Sequence, residues 1–343
     1  MTFNINPEAE IPKYKQVLSA IESKIVDGTY KKGAYLPSMN DIATETGISK
    51  ETVKRALVNL RDRGYISSCP GKGYYVSVDL ESIQKKTNIL MILGRLDIFK
   101  QMLVDSFTSA LMGKADVRIL LHNGEVEQLE SALETSLNQY DYYVVSPHFA
   151  IDDQTQMRVA KLLKKIPNRK LILLDHCNRF MTGHFGAVYQ DFEKDPAIGL
   201  SEGLDRLKKA ARLNIIMLPS SRYGEWVKSG VIHFCESNEI PYSIMEKIPE
   251  CLERGEVFLL LTGVLSNELA KFDIILKKNG MKIGEDVGLI AYNDVPLNSV
   301  VLGGLTTIST DFVKMGEIAA QMILSNTMSK VHSEFHMIRR RTF

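Results

Sequence analysis

Cysteine is scarce in this chain of 343 residues: Cys69, Cys177, Cys235 and Cys251 lie far apart and form no CxxC pair. That spacing excludes a disulfide framework and a thiolate zinc site, and it fits unpaired thiols in a reducing compartment. Long apolar runs are lacking too. No uninterrupted stretch approaches the ~20 residues that a bilayer-spanning helix needs. Met1 to Glu10 carry acids and a proline in place of the apolar centre of a signal peptide. The expectation is a soluble cytoplasmic protein with no membrane partner. An excess of one charge is also missing, because 42 Lys and Arg against 41 Asp and Glu leave a net +1. Nor is there a nucleophile elbow, an HExxH helix, a Walker loop or a lysine-centred cofactor motif. The chain therefore reads as a non-enzyme that needs no cofactor and no metal.

What is present begins near the N-terminus, where the balanced average hides a local excess. Between Ser49 and Val76 there are six Lys/Arg against two acids, and phosphate attraction acts over a Debye length of about 8 Å. Tyr14, Val17, Leu18, Ile21 and Ile25 recur at helical spacing, and Gly28 ends that helix. In Leu36-Pro37-Ser38, Ser38 is placed as the N-cap of a second helix, with Asp41 as its partner in a capping box. Gly47 supplies the turn and Ile48 the small core beneath it. Ser49 caps a third helix running to about Arg63, with Val53, Ala56, Leu57 and Leu60 facing inward.

That helix leaves Lys50, Glu51, Thr52, Lys54 and Arg55 outside, a first turn suited to reading a DNA groove. After Gly64, Tyr65-Ile66 and Tyr74-Tyr75-Val76 read as two strands joined by Cys69-Pro70-Gly71-Lys72-Gly73, a glycine-tipped wing. A single basic helix face is more often plain solvated surface. Turn, cap, basic helix and wing in this order make a winged helix-turn-helix with double-stranded DNA as its partner.

From Pro12-Lys13-Tyr14 to Gly71-Lys72-Gly73-Tyr74-Tyr75-Val76 the segment resembles the GntR family of bacterial regulators. The resemblance implies DNA contacts from Ser38, Asn40, Ser49, Lys50, Thr52, Lys54 and Arg55, and a wing at Gly71, Lys72 and Gly73. Two departures stand out. Asn40 replaces an arginine usual two residues after the serine of the Leu-Pro-Ser motif, and lysines replace the usual arginines at 50 and 54. Bidentate guanine reading is thereby weakened, so the operator is expected to differ from the family's common one.

Beyond Ser77–Lys86 short apolar strands alternate with amphipathic helices. Strands are expected at 88–93, 117–121, 142–145, 170–175, 214–218, 242–245, 257–261 and 287–292, with helices such as 100–112, 126–139 and 268–278. About 250 residues with this many strands suit two parallel-sheet lobes, with a ligand crevice at the carboxyl ends of the strands. The fold class expected is an N-terminal winged helix-turn-helix (α+β) plus an α/β domain of two doubly wound parallel-sheet lobes. Its bounds are 1–78 for the first domain, 79–87 for a linker and 88–343 for the second.

Asp286-Val287-Gly288-Leu289-Ile290-Ala291-Tyr292-Asn293-Asp294-Val295-Pro296, followed by Leu305-Thr306-Thr307-Ile308, is similar to the LacI/GalR family's effector domain, a resemblance that implies a periplasmic-binding-protein-like effector domain. On that resemblance Asn293 stands where an aspartate commonly binds sugar hydroxyls, Thr310 lies in a crossover that often faces ligand, and Asp191 is the acid opening the second lobe. The clamp arginine usual three residues before a glycine is replaced by Val227 before Gly230. Arg222, Trp226 or Lys228 are its candidate substitutes. The family's Asn-Asp pair is replaced by Thr262-Gly263-Val264. Position at strand ends adds Asp97, Phe99, His148, Phe149 and His176. A lone loop histidine is more often structural, Asp175 reads equally as a structural strand-end acid, and Trp226 either stacks on a sugar or packs in the core.

Two readings follow. The first is a homodimeric transcription factor whose operator affinity is set by a small molecule, a monosaccharide. A neutral pentose or deoxyhexose is expected, because an amide at Asn293 and the missing clamp arginine disfavour a phosphorylated ligand. Regulators with this domain pairing include arabinose and fucose regulators, so L-arabinose and L-fucose are the named guesses, with a sugar phosphate or non-sugar metabolite as the alternative. The second reading, a DNA-tethered enzyme, lacks both the length and the cofactor lysine.

Overall fold

The computed structural model describes residues 5, 11–78, 86–217, 223–261 and 267–343. The chain divides into two compact units, Met1–Lys86 and Thr87–Phe343.

The first unit holds α1 (Lys13–Val26), α2 (Met39–Thr46), α3 (Lys50–Asp62), β1 (Ile66–Cys69) and β2 (Gly73–Val76). Val17, Leu18, Ile21 and Ile25 of α1 meet Val53, Ala56, Leu57 and Leu60 of α3, and Leu36, Ile42, Ile48, Ile66 and Val76 complete the core. Helix starts follow the local chemistry. The Ser38 hydroxyl accepts from the Asp41 amide at 3.2 Å while the Asp41 carboxylate accepts from the Ser38 amide at 3.1 Å, a complete capping box. Gly47 ends α2 at φ 67°, and the Ser49 hydroxyl caps α3 through the Thr52 amide. The two strands pair antiparallel as a wing.

The second unit has two lobes of the same plan. Lobe 1 runs β3 (Thr87–Leu93), α4 (Ile98–Ala110), β4 (Ala115–Leu121), α5 (Val126–Ser136), β5 (Tyr142–Val145), α6 (Asp153–Leu163), β6 (Leu171–Asp175) and β7 (Gly186–Tyr189). Lobe 2 runs α7 (Asp195–Ser201), α8 (Leu204–Leu207), β8 (Arg212–Ile216), α9 (Gly224–Ser237), β9 (Tyr242–Met245), β10 (Glu256–Leu260), α10 (Asn267–Asn279), β11 (Gly288–Tyr292) and β12 (Thr306–Thr310). The chain then returns through α11 (Phe312–Leu324) and β13 (Lys330–His332) and ends in β14 (Phe335–Ile338).

Strand order is β13-β7-β6-β5-β3-β4 in one sheet and β14-β12-β11-β10-β8-β9 in the other. Every neighbour in these two sheets is parallel except β12 with β14. The lobes therefore correspond strand for strand, with β6 of lobe 1 in the place of β11 of lobe 2. Both strands are buried along their whole length, as sheets covered by helices on both faces require.

The eight expected strands form within a few residues of their sequence bounds, and β7, β12, β13 and β14 are additional. Their sequences explain why. Thr306-Thr307-Ile308-Ser309-Thr310 is polar, yet it is fully buried because partners far along the chain satisfy it: the Thr306 amide donates to Thr342 Oγ1 at 2.8 Å and its hydroxyl to the Arg340 carbonyl at 3.1 Å. β13 and β14 are short segments in which buried or half-buried residues alternate with exposed ones.

The chain crosses between lobes three times, after β7, after β12 and after β13. These crossings are tied together: the Ser333 amide donates to the Tyr189 carbonyl at 2.7 Å, and the Thr310 hydroxyl donates to Ser333 Oγ at 2.9 Å. No helix among the described residues is long and apolar enough to cross a membrane.

Candidate functional site

The first unit exposes a cationic face on α3 and the wing. Lys50, Lys54 and Arg55 stand on the exposed side of α3, and Lys72 stands exposed between Gly71 and Gly73, whose φ values of 76° and 95° only glycine adopts readily. Tyr35 and Tyr75 pack beside the wing with ring centroids 5.8 Å apart. Arg55 is not loose: its guanidinium lies 4.2 Å above the Tyr14 ring, which fixes its direction. Ser38 and Ser49 spend their hydroxyls on helix caps, and Thr52 turns its hydroxyl to Ser49 Oγ at 2.8 Å. Asn40 is exposed on α2.

In the second unit the carboxyl ends of both sheets bring polar groups together. Asp175 ends β6 with φ 70°, and Asn293 follows β11 with the same φ, so the two lobes make the same backbone turn at corresponding places. Asp175 is only 1 % exposed. Its carboxylate is bound by the Lys100 ammonium and the Gln190 amide, and His148 Nε2 lies 3.1 Å from it. Burial pushes this carboxyl up, but Lys100 and the hydrogen bonds outweigh that and hold it well below the usual carboxylate range. At His148 burial prevails instead: it depresses the pKa to about 3 against the pull of Asp175, so the ring is neutral.

An aromatic wall stands beside this polar floor. Tyr223 of lobe 2, just before α9, stacks on Phe192 at 4.6 Å and lies 4.5 Å from the His148 ring and 5.3 Å from the His176 ring. Trp226 lies 5.4 Å from Tyr223 and 5.8 Å from His176. Helix α9 comes close because residue 230 is glycine: a Cβ there would stand 1.9 Å from the Glu193 carbonyl oxygen. A cavity of about 240 Å³ opens here, lined by His176, Cys177, Tyr189, Gln190, Asp191, Phe192, Glu193 and Trp226.

Four buried polar atoms around the crevice have no hydrogen-bond partner among the described residues: Ser146 Oγ and Gln190 Oε1 of lobe 1, Tyr292 Oη and Asn293 Oδ1 of lobe 2. Buried polar groups are normally paired, so these atoms are suited to meeting the hydroxyls of a bound polar ligand. Burial, with Asp195 and Asp175 nearby, pushes the Tyr292 phenol far above its ordinary value, leaving a neutral O–H donor.

The structure gathers some sequence candidates and separates others. His148, His176, Asp191 and Trp226 join one crevice, with Asn293 at the equivalent strand end of lobe 2. Asp191 divides its carboxylate between the Glu193 and Lys194 amides and the Lys194 ammonium. Phe99 instead stacks on Phe312 at 5.3 Å, packed against the cores of both lobes. Asp97 is exposed and caps α4 through the Lys100 amide. Thr310 is buried and its hydroxyl serves the crossover. Lys228 pairs with Glu225 at 2.5 Å. Arg222 and Thr262-Gly263-Val264 lie outside the described residues.

Sequence reasoning missed Lys100, Ser146, Gln190, Tyr223 and Tyr292. Only their placement just after or at strand ends, or beside a chosen residue, could have flagged them. Two acids near the crevice are structural. Asp195, fully buried, accepts from the Asp191 amide and lies 2.7 Å from His332 Nε2, and Asp294 is clamped by Arg340 through two contacts of 2.8 Å. Among the described residues no group of three or more His, Cys, Asp or Glu could hold a metal.

Residues 13–76 match the model of bacterial regulatory proteins of the gntR family, and residues 274–342 that of the periplasmic binding protein-like domain. The arabinose metabolism transcriptional repressor of Geobacillus stearothermophilus is 23% identical over 92% of each chain. The HTH-type transcriptional repressor NagR of Bacillus subtilis is 36% identical, over 22% of this chain and 30% of its own length. Among solved structures, a lac repressor bound to ONPG in the repressed state aligns over 100% of this chain and 99% of its own with TM-score 0.58 and 15% identity. At that identity the likeness speaks for the fold. The relatives are transcription regulators rather than enzymes. This chain carries a DNA-binding domain of the gntR family joined to a periplasmic binding protein-like domain of two parallel-sheet lobes, the build of a transcription regulator.

Proposed function

We propose that this protein is an operator-binding regulator whose DNA affinity is set by a neutral monosaccharide held between the two lobes of its second unit. The observation that carries the ligand reading is the set of unpartnered atoms, Ser146 Oγ, Gln190 Oε1, Tyr292 Oη and Asn293 Oδ1, contributed by both lobes. A polyol carries the donors and acceptors that such atoms take, Gln190 lines the cavity itself, and Trp226 there offers a face for a sugar ring. A cavity of about 240 Å³ falls below the ~300–1,000 Å³ of drug-sized sites, which favours one ring over an oligosaccharide.

Charge argues for neutrality. Lys100 is already matched by Asp175, His148 is neutral, and Asp191 and Glu193 line the mouth. An anionic ligand would meet no free cation among these groups. The relative named for arabinose metabolism makes L-arabinose the first sugar to test, with L-fucose next.

At the DNA end, Lys50, Thr52, Lys54 and Arg55 enter the major groove, with Ser38, Asn40 and Ser49 near the backbone and Gly71, Lys72 and Gly73 as the wing. Two copies acting as a homodimer read two half-sites, since one small module buries too little surface for specificity. A lac repressor chain of the same fold is described as a dimer bound to operator. The effector acts through unequal affinity for two lobe arrangements, and a 100-fold change in DNA affinity needs about 2.7 kcal/mol of coupling.

Calorimetric titration with free and phosphorylated sugars, followed by operator binding with and without the sugar that binds, tests this reading. A free pentose or deoxyhexose that binds and shifts operator affinity supports it. Binding of only a sugar phosphate, or of a purine, sinks it.

A further inference from the structure

Segment 154–174 of lobe 1 holds Arg158, Lys161, Lys164, Lys165, Arg169 and Lys170 and no acid, in a chain whose net charge is +1. Arg158 is taken by Glu127 and Glu130 of α5, and the Lys170 ammonium by the Tyr140 carbonyl. Lys161, Lys164, Lys165 and Arg169 are exposed, at the end of α6 and just beyond it, and have no ion-pair partner among the described residues.

Cations at a helix C-terminus are favourable by themselves, so lobe 2 serves as an internal control. Helix α10 joins β10 to β11 as α6 joins β5 to β6. Its terminal lysines and the next one along the chain are neutralised: Lys277 pairs with Asp273 at 2.6 Å, Lys278 with Glu250 at 2.8 Å and, beyond the helix, Lys282 with Glu285 at 3.4 Å. One fold position thus carries matched charge in lobe 2 and unmatched positive charge in lobe 1.

Location supplies the occupant. Strands β3, β5 and β6 are parallel, so the C-terminus of α6 lies at the end of the sheet where β3 begins. That strand starts at Thr87, one residue after the DNA-binding unit ends at Lys86. The ridge is therefore on the end of lobe 1 at which β3 begins, opposite the crevice.

We infer that Lys161, Lys164, Lys165 and Arg169 form a second, sequence-independent DNA contact that takes backbone phosphates. Such a contact adds affinity and salt dependence without adding sequence preference. The inference rests on the DNA-binding reading and adds to it a surface outside the winged helix-turn-helix.

The test measures binding of the full chain to a random-sequence duplex of about 40 base pairs across ~50–200 mM salt. The fourfold variant Lys161→Gln, Lys164→Gln, Lys165→Gln, Arg169→Gln removes only exposed side chains. A control variant, Lys277→Gln with Lys278→Gln, alters the matched position in lobe 2. At about 0.9 per phosphate contact, the fourfold variant is expected to lower the slope of log affinity against log salt by about 2–4, and the control to leave it unchanged. An unchanged slope in the fourfold variant, as an acidic protein partner for this ridge would give, overturns the inference. A drop in both variants in proportion to the charge removed also overturns it, because that reports net charge rather than contact. If the unaltered protein does not bind DNA at all, it is the DNA-binding reading that fails.

Discussion

The Lys100 ammonium and the Asp175 carboxylate, 75 residues apart in the chain, form an ion pair that is sealed into the floor of the lobe 1 crevice. Removing one partner strands the other. Lys100→Met is expected to destabilise the second unit by about 3–5 kcal/mol, and Lys100→Met with Asp175→Leu by clearly less. Urea denaturation followed by circular dichroism checks both, and equal losses in the two variants would mean the pair is not what holds this floor.

Neutral His148 makes acid stability directional. Its folded pKa of about 3 lies below the ordinary value of 6.5, so the unfolded chain binds the extra proton first. The contribution is complete above pH 6.5 and is lost as pH falls towards 3. At ~1.4 kcal/mol per unit the whole window is worth on the order of 5 kcal/mol at most. Unfolding free energy against pH should be flatter between about 4 and 6.5 in His148→Gln than in the parent protein; parallel curves would contradict the assignment.

Gly230 lets α9 reach the crossover at Glu193. Gly230→Ala places a methyl where the Glu193 carbonyl oxygen stands, and overpacking of this kind costs about 1–3 kcal/mol. A lowered melting temperature, together with weaker sugar binding as Tyr223 and Trp226 are displaced, is the expected pair of outcomes.

Trp226 is the sole tryptophan of the chain and lines the cavity. Its fluorescence should change on adding the sugar that binds, and Trp226→Leu should weaken that sugar at least tenfold, about 1.4 kcal/mol. A saturable calorimetric signal with unchanged emission would place the ligand elsewhere.

On the recognition helix, Lys54→Ala should weaken operator binding and reduce the salt slope by about 0.9. A band shift that survives moderate salt unaltered would mean that α3 does not enter the groove as proposed.

Local sequence determined the first unit almost alone. Ser38 with Asp41, Gly47, Ser49 and the apolar stripe of α3 act over one or two turns, so spacing specifies caps, turn and buried face. The same holds for buried strands such as β6 and β11, whose apolar runs have no other place to go in a layered α/β lobe. Tertiary structure decided the crevice. Lys100 looks like any first-turn lysine until α4 is laid against the end of β6, and His332 meets Asp195 across 137 residues. β12 is a run of hydroxyl side chains that becomes a buried strand only when Arg340 and Thr342 return to satisfy it. Short-range periodicity and capping carry through the chain itself, whereas partnership of buried polar groups depends on which strand ends the fold brings together.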